Sequence, residues 1–405
     1  MILVFALTGA LTPTKGRHLI SRKPYFVEDA LFGCTIQNTP KLIPGTVLAL
    51  GVVWLAILLT DQINLMWGYQ GLISYILTAI ILGMLVRNTI GLAPLFQPGV
   101  SFALRKLLRL GIILLGIRLS ILDVAIIGAW GVPIVIGCIL TGLVITIYFT
   151  RLLGLPERLG TLIAIGTSIC GASAIVAASP VIEATDEEIA YAVANITVFG
   201  IVAMFVYPYL ANVLFAGNVM QVGLFTGTSI HETAQVAGAG LIYDQSFGVS
   251  VNPSAADVAV VTKLVRNVMM ILVIPAMAFL YARRAVKPTD SSDERRPRLI
   301  QLIPIFIIGF LIVAVIRSIG DANLDSGVLA FGIWSDLAWN NICGNIKELS
   351  GYILAMAMAG VGLGTSFGMM RGLGIKPFGV GLVSATMVGV SSVLLVLLLG
   401  PMVNV

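Results

Sequence analysis

From Pro377 to Val405 the chain carries no charged side chain, and comparable uncharged runs occupy residues 42–60 and 124–150. Runs this long and apolar suit a bilayer, where backbone N–H and C=O groups must pair within the protein as helices or as a closed barrel. They lack the strict alternation of barrel strands, which selects helices. The balance of residues agrees: 58% are hydrophobic, 11% are charged, and the mean hydropathy is +1.02. A soluble domain is about 25% charged. The expected fold class is therefore an all-α polytopic membrane protein.

Eleven candidate spans fit the chain, at 42–60, 72–90, 101–120, 127–150, 158–182, 187–211, 219–242, 257–281, 299–319, 350–368 and 377–401. With the N-terminus inside, the inner loops collect nineteen of the 24 Lys and Arg residues, including Arg105, Lys106, Arg109, Arg151 and Arg158. The outer loops then hold acids such as Asp61, Asp123, Glu183, Asp186, Glu187, Glu188 and Asp321. This is the positive-inside distribution, and it predicts an inner membrane with a cytoplasmic N-terminus and an external C-terminus. The net charge of +5 is a property of these loops and gives no reason to expect nucleic acid.

The organisation that follows is a basic cytoplasmic segment at 1–40, eight helices over 41–281, a polar cytoplasmic loop at 282–298, and three helices over 299–405. The connection 321–349, with Trp334 and Trp339, reads as an interfacial helix, since Trp favours the headgroup level. Residues 1–11 are apolar but lack a basic n-region, which argues against a cleaved signal peptide. Cys34, Cys138, Cys170 and Cys343 show no metal-binding or disulfide spacing, and no cofactor is expected.

Candidate chemistry concentrates in 157–268. Gly166-Thr-Ser-Ile-Cys-Gly-Ala-Ser and Gly227-Thr-Ser-Ile-His-Glu-Thr-Ala-Gln both set small and hydroxylated residues in an aliphatic background. Gly166, Gly171, Gly227 and Gly238 are points where a helix can open. The two segments can be spans broken in mid-membrane or re-entrant hairpins entering from opposite faces; in the second case the 183–188 and 212–218 loops trade sides. An opened helix offers backbone N–H groups to an anion, and Ser168, Cys170, Gly171, Ser173, Thr228 and Ser229 would line it. The alternative is close helix packing through small residues. Asn195 is a lone amide that can cap or line the same space.

Lys263 and Arg266 lie three apart on one helix face, in a helix that begins near the capping box Ser254-Ala-Ala-Asp257. A cation at the bilayer centre costs at least about 2.5–3.5 kcal/mol on insertion scales, so both need partners. Those partners are either an anion or an acid such as Glu232 or Asp257. Lys supplies a point charge and Arg a planar fork suited to oxyanions. His231, Glu232 and Gln235 form a second polar cluster, in which His231 and Glu232 are expected to couple protons and Gln235 to bind substrate. The run lacks the second His of HExxH. Arg118, at the outer end of its span, reads as a snorkelling side chain.

Two further echoes suggest inverted repeats, the usual architecture of secondary transporters. Ile80–Gly91 is similar to Ile308–Gly320, and Leu115-Gly-Ile-Arg-Leu-Ser120 to Val361-Gly-Leu-Gly-Thr-Ser366.

The 166–175 run, Pro180-Val-Ile-Glu-Ala, the 107–120 segment, the 227–236 run and Lys263-Leu-Val-Arg266 together resemble the sulfate exporter family of bacterial inner-membrane proteins. The resemblance covers about residues 40–400. It implies membership of the superfamily that includes cation/proton antiporters and bile-acid/sodium symporters, with inverted five-helix repeats, a core and a panel domain, and broken helices crossing at the midplane.

The expected function is secondary transport of a small anion, sulfate or an organosulfonate, coupled to H+ or Na+. The expected partners are the anion, the lipid bilayer, the coupling ion and a second copy of the chain in a homodimer. Two other readings stand beside it. One is a cation/proton antiporter using Glu232; the other is an intramembrane hydrolase using Ser168 or Cys170 with His231.

Overall fold

The computed structural model describes residues 36–67, 74–282, 304–368 and 374–403. The basic lead-in through residue 35 and nearly all of the 282–298 loop lie outside the described residues. Fourteen helices carry the described chain: α1 (Ile43–Trp67), α2 (Tyr75–Thr89), α3 (97–118), α4 (Ile121–Leu152), α5 (Glu157–Ser168), α6 (Ala172–Ala178), α7 (Asp186–Leu214), α8 (Val219–Ser229), α9 (Thr233–Ser246), α10 (Ala255–Val268), α11 (Met270–Ala282), α12 (Ile305–Asp325), α13 (Asp336–Gly364) and α14 (Ile375–Leu399). Seven helical stretches among the described residues are long and apolar enough to cross a membrane. The chain is thus an all-α polytopic membrane protein.

Helix boundaries follow local chemistry. Ser120, Thr185 and Ser254 each close a capping box onto an acid three residues later, and Ser335 caps α13. α3 is continuous across four pieces, with a π turn at Ala103–Leu107 in its middle. The interfacial helix expected within 321–349 is instead the first half of α13. That helix runs unbroken for 29 residues from its Ser335 cap, and Trp339 anchors it by donating to Asp321 Oδ1 at 2.8 Å.

The two interrupted segments fold back on themselves. At Gly171 the backbone takes φ +69°, open to glycine at little cost. A Cβ on Gly166, one turn before the break, would meet Ile175, one turn after it. α5 enters beside the end of α4, where Gly160 touches Thr150. α6 then returns along α11, where Ala174 and Ala178 share a cluster with Met270, Ile274 and Met277. The second segment mirrors this from the opposite end. α8 descends along α10, with Gly223 against Val258 and Gly227 against Ala259, and α9 climbs back, with Gly240 against Ala256. Its end returns to the end of α7, where Tyr243 donates to Asn212 Oδ1 at 3.1 Å.

The resemblance implies broken helices that cross the midplane; these segments are two opposed re-entrant hairpins. Packing shows the fold-back: Ile175 lies on Gly166 across the first break, and Gly223 and Gly240, on either side of the second, both pack on residues 255–258 of α10. Twelve residues in α5 and eleven in α8 span about 17 Å each, roughly half of a 30 Å hydrocarbon core.

Direction of travel then fixes two faces. The near face holds the start of α1, the end of α4, the mouth of the α5/α6 hairpin and the start of α7. The far face holds the start of α4, the mouth of the α8/α9 hairpin and the start of α10. Glu183, Asp186, Glu187 and Glu188, expected on the outside with Asp123, therefore lie on the near face with Arg151 and Arg158. The remaining helices group as α1, α2, α3, α12 and α13 on one side of the hairpins. α4, α7, α10, α11 and α14 surround the hairpins.

Candidate functional site

The hairpin tips meet against α10: a Cβ on Gly171 would sit 3.6 Å from both Glu232 Cβ and the His231 carbonyl. α5 and α8 both end here, so two sets of unsatisfied carbonyls converge, each end carrying about half a negative charge. Lys263 and Arg266, both fully buried, answer them. Lys263 Nζ donates to the carbonyls of Ile169 at 2.9 Å and Ile230 at 3.0 Å, and also to that of His231. Arg266 Nε donates to Ser168 O at 2.8 Å, and Nη1 to Thr228 O at 2.7 Å and Ile230 O at 3.2 Å, while Nη2 bonds Thr167 O. The ammonium has three N–H groups and three carbonyl partners. The sequence pointed to an anion or an acid as partner for these cations; their hydrogen bonds go to main-chain carbonyls of both hairpins.

Of the two acids named as alternative partners, Glu232 lies beside the tip junction without a hydrogen bond to either cation among those described, and Asp257 is engaged elsewhere. Asp257 closes the α10 capping box, with Oδ2 accepting from Ser254 N at 3.1 Å, while Oδ1 pairs with Arg118 Nη1 at 3.2 Å. Arg118 is thus an ion-pair partner rather than a snorkelling side chain. Asn252 donates to Arg118 O at 2.9 Å, and Ser74 on α2 donates to Gln245 Oε1 on α9 at 2.6 Å. These bonds tie α2 and α3 to the hairpin side of the molecule at the far face.

A cavity of about 710 Å³ runs from the tips toward the near face. Its inner end is formed by Cys170 and by Glu232, Thr233, Ala234 and Gln235, which open α9. Ser173 lies on one wall, and Phe306 and Phe367, beside helix ends of the near face, stand at the other end. Arg105 from the π turn and Arg109 also line it. Four residues apart, the two share one side of α3, and Arg105 sits within a π turn, a feature frequent at functional sites.

The expected site residues therefore separate into two groups. Cys170, Ser173, Glu232 and Gln235 line the cavity, and Gly171 makes the turn beside them. Ser168, Thr228, Ser229, His231, Lys263 and Arg266 are buried in the tip junction behind it. The Thr228 and Ser229 hydroxyls bond back to Leu224 O at 2.7 Å and Phe225 O at 2.6 Å in their own helix, a habit of mid-helix hydroxyls. Cys170 Sγ lies 3.2 Å from Met270 Sδ. Gln235 Nε2 donates to Thr197 O at 3.2 Å. Asn195 turns away to α14, donating to Pro377 O at 2.8 Å with Gly381 leaving room for its amide.

Arg105 and Arg109 read from the sequence first as topogenic charges, with lining an entrance as the lesser alternative. The signal that could have found them is their four-residue spacing, which puts both on one helix face, with Ser101 a turn earlier on the same stripe. No group of acids, His and Cys able to hold a metal occurs among the described residues.

A bundle of long apolar helices with two buried hairpins meeting tip to tip defines a polytopic membrane protein with a cavity of about 710 Å³ reaching from its middle to one face. Sequence comparison gives the family. The model of the family described as Conserved hypothetical protein 698 matches residues 44–381, and the chain belongs to that family. A UPF0324 membrane protein of Pseudomonas aeruginosa is 34% identical over 356 residues, covering 84% of this chain and 90% of the relative. One from Yersinia pestis is 34% identical over 345 residues (83% and 87%), and one from Fusobacterium nucleatum 30% over 306 residues (76% and 84%).

Proposed function

We propose that the protein is a secondary transporter of a small anion across the bacterial inner membrane, working by alternating access between two faces. The observation that carries this reading is the cavity. It reaches the junction of two opposed hairpins, and among the described residues its Arg, Lys, Asp and Glu lining is Arg105, Arg109 and Glu232. Guanidinium groups bind carboxylate, sulfate and sulfonate oxygens through paired N–H donors. Ser173, Thr233 and Gln235 add hydroxyl and amide groups near the inner end.

The tip junction supports an anion over a cation as substrate. A cation binding at helix C-termini would use their carbonyls, and Lys263 and Arg266 already occupy those of 167–169, 228, 230 and 231. The protein carries its own tethered cations where a mobile one would sit. Glu232 borders this junction and the cavity, and on this reading it is the group through which proton coupling runs.

An enzymatic reading has less support. Ser168 Oγ and His231 Nδ1 are both buried without a hydrogen-bond partner, so no nucleophile–base bond joins them.

Placing the near face in the cytoplasm puts the N-terminus inside and the C-terminus outside, with nine full crossings and two hairpins. Arg151, Arg158 and Lys376 then face inward, as the positive-inside rule asks. The state described here faces the cytoplasm, and the Arg118–Asp257 and Ser74–Gln245 contacts close the opposite side. The test is flux of radiolabelled sulfate and methanesulfonate in proteoliposomes containing the purified chain. Uptake above empty liposomes that falls on Arg109→Gln supports the reading, and uptake equal to empty liposomes for both probes contradicts it.

A further inference from the structure

The cavity is much larger than an inorganic oxyanion needs, and its walls are of the wrong kind for one. Its volume of about 710 Å³ lies within the 300–1,000 Å³ usual for sites that enclose organic molecules. The lining is mostly aliphatic and aromatic, with Val100 and Leu104 on α3, Val198, Ile201 and Phe205 on α7, and Phe306 on α12; Ser101 and Thr197 are hydroxyls among them. A hydrated five-atom ion gains nothing from such walls, and a water-filled approach route for it would favour polar ones. An apolar wall is useful to a ligand with an apolar body, at roughly 25 cal/mol per Å² removed from water.

The polar groups also lie in a defined place. Arg105 and Arg109 come from one helix, adjacent to Val100, Leu104, Leu108 and Ile112 of the same face. A charged head held by the guanidiniums, with Ser101 one turn before Arg105 as a further polar group, therefore leaves the rest of the molecule against a lining that is mostly apolar. Phe205 and Val198 of α7 stand among the walls that complete the enclosure.

We infer that the transported anion is amphipathic: an acidic head, sulfonate or carboxylate, bound by Arg105 and Arg109, and an apolar body of several carbons packed on α3 and α7. This rests on the anion-transport reading and narrows its substrate class.

The test is binding to the purified full-length chain in nanodiscs, by isothermal titration, of sulfate, methanesulfonate, butanesulfonate and hexanesulfonate, with hexyltrimethylammonium as the opposite-charge control. Affinity is expected to rise by up to about fourfold per added methylene, with sulfate weakest and the ammonium failing to bind. Arg109→Gln should weaken the whole sulfonate series alike, whereas Val198→Thr should flatten its dependence on chain length. Sulfate binding as tightly as hexanesulfonate overturns the inference and leaves anion transport standing. Hexyltrimethylammonium binding as tightly as hexanesulfonate also overturns it, because the head would then play no part. If no anion binds, sulfate included, the inference and the transport reading fall together.

Discussion

Arg266 Nε donates to the main-chain carbonyl of Ser168 at 2.8 Å, which joins a helix of the scaffold to the tip of a hairpin that entered from the opposite face. The same guanidinium reaches Thr228 of the other hairpin. The pair Lys263 and Arg266 thus holds both tips, and its first duty is structural. Replacing either cation by Met leaves two or more buried carbonyls without that donor and halves the positive charge set against the two facing helix ends. Losing one partner of a buried charged contact costs about 3–5 kcal/mol, so Lys263→Met and Arg266→Met should both lower the melting temperature of the detergent-solubilised protein sharply. Wild-type melting with lost anion binding would show instead that these cations serve the ligand.

The hairpins make a topological prediction that differs from that of through-going spans. Glu187 and Gly217 lie at opposite ends of α7 and on the mouths of different hairpins. Glu187→Cys should react with a membrane-impermeant thiol reagent from the side of the N-terminus, and Gly217→Cys from the other. Through-going spans predict the reverse assignment for both, so labelling of intact cells and inverted vesicles decides between them.

Gly171 is the turn of the first hairpin, and its φ of +69° is the reason a glycine stands there. An added Cβ would come no closer than 3.5 Å to Ile196 Cγ2, so space is available and the cost is conformational. Gly171→Ala should lose about 1–2 kcal/mol while keeping the same topology in the labelling experiment. A variant as stable as wild type would mean that this turn is not held in the left-handed region.

At the far face the Arg118–Asp257 pair, 3.2 Å apart, bridges α3 and α10 and so joins the two groups of helices. Breaking it should favour the opposite access state. In a Ser173→Cys background the introduced thiol lies on the cavity wall and should be labelled from the near face only. Adding Arg118→Gln should raise its labelling from the far face several-fold. Unchanged one-sided labelling would remove this ion pair from the closing contacts.

How much of this was legible in the sequence depends on the kind of force involved. The helices were legible because hydrocarbon leaves little choice: apolar runs mark them, and Ser254-Ala-Ala-Asp257 marked the start of α10 through its own capping box. That 166–173, 227–235 and 263–266 belong together was also legible, because each is costly in lipid and all therefore seek one another. What they do on meeting was not. The partners of Lys263 and Arg266 are main-chain carbonyls, and a main-chain group carries no sequence signature. Hairpin and through-going span share one composition, and only Gly171's dihedral and the packing of Ile175 on Gly166 separate them. Arg105 and Arg109 were ranked first as topogenic, with an entrance role second, because positive charges near helix ends ordinarily report topology; their place on the cavity wall comes from the packing of α3, which composition does not carry.

The central claim is that the cavity carries an anion from one face to the other, and transport itself is its most direct test. Proteoliposomes loaded with unlabelled hexanesulfonate should accumulate the radiolabelled compound by exchange, with the rate reduced at least tenfold in the Arg105→Gln/Arg109→Gln variant at unchanged melting temperature. Exchange no faster than in protein-free liposomes, for hexanesulfonate and for sulfate alike, would contradict the account.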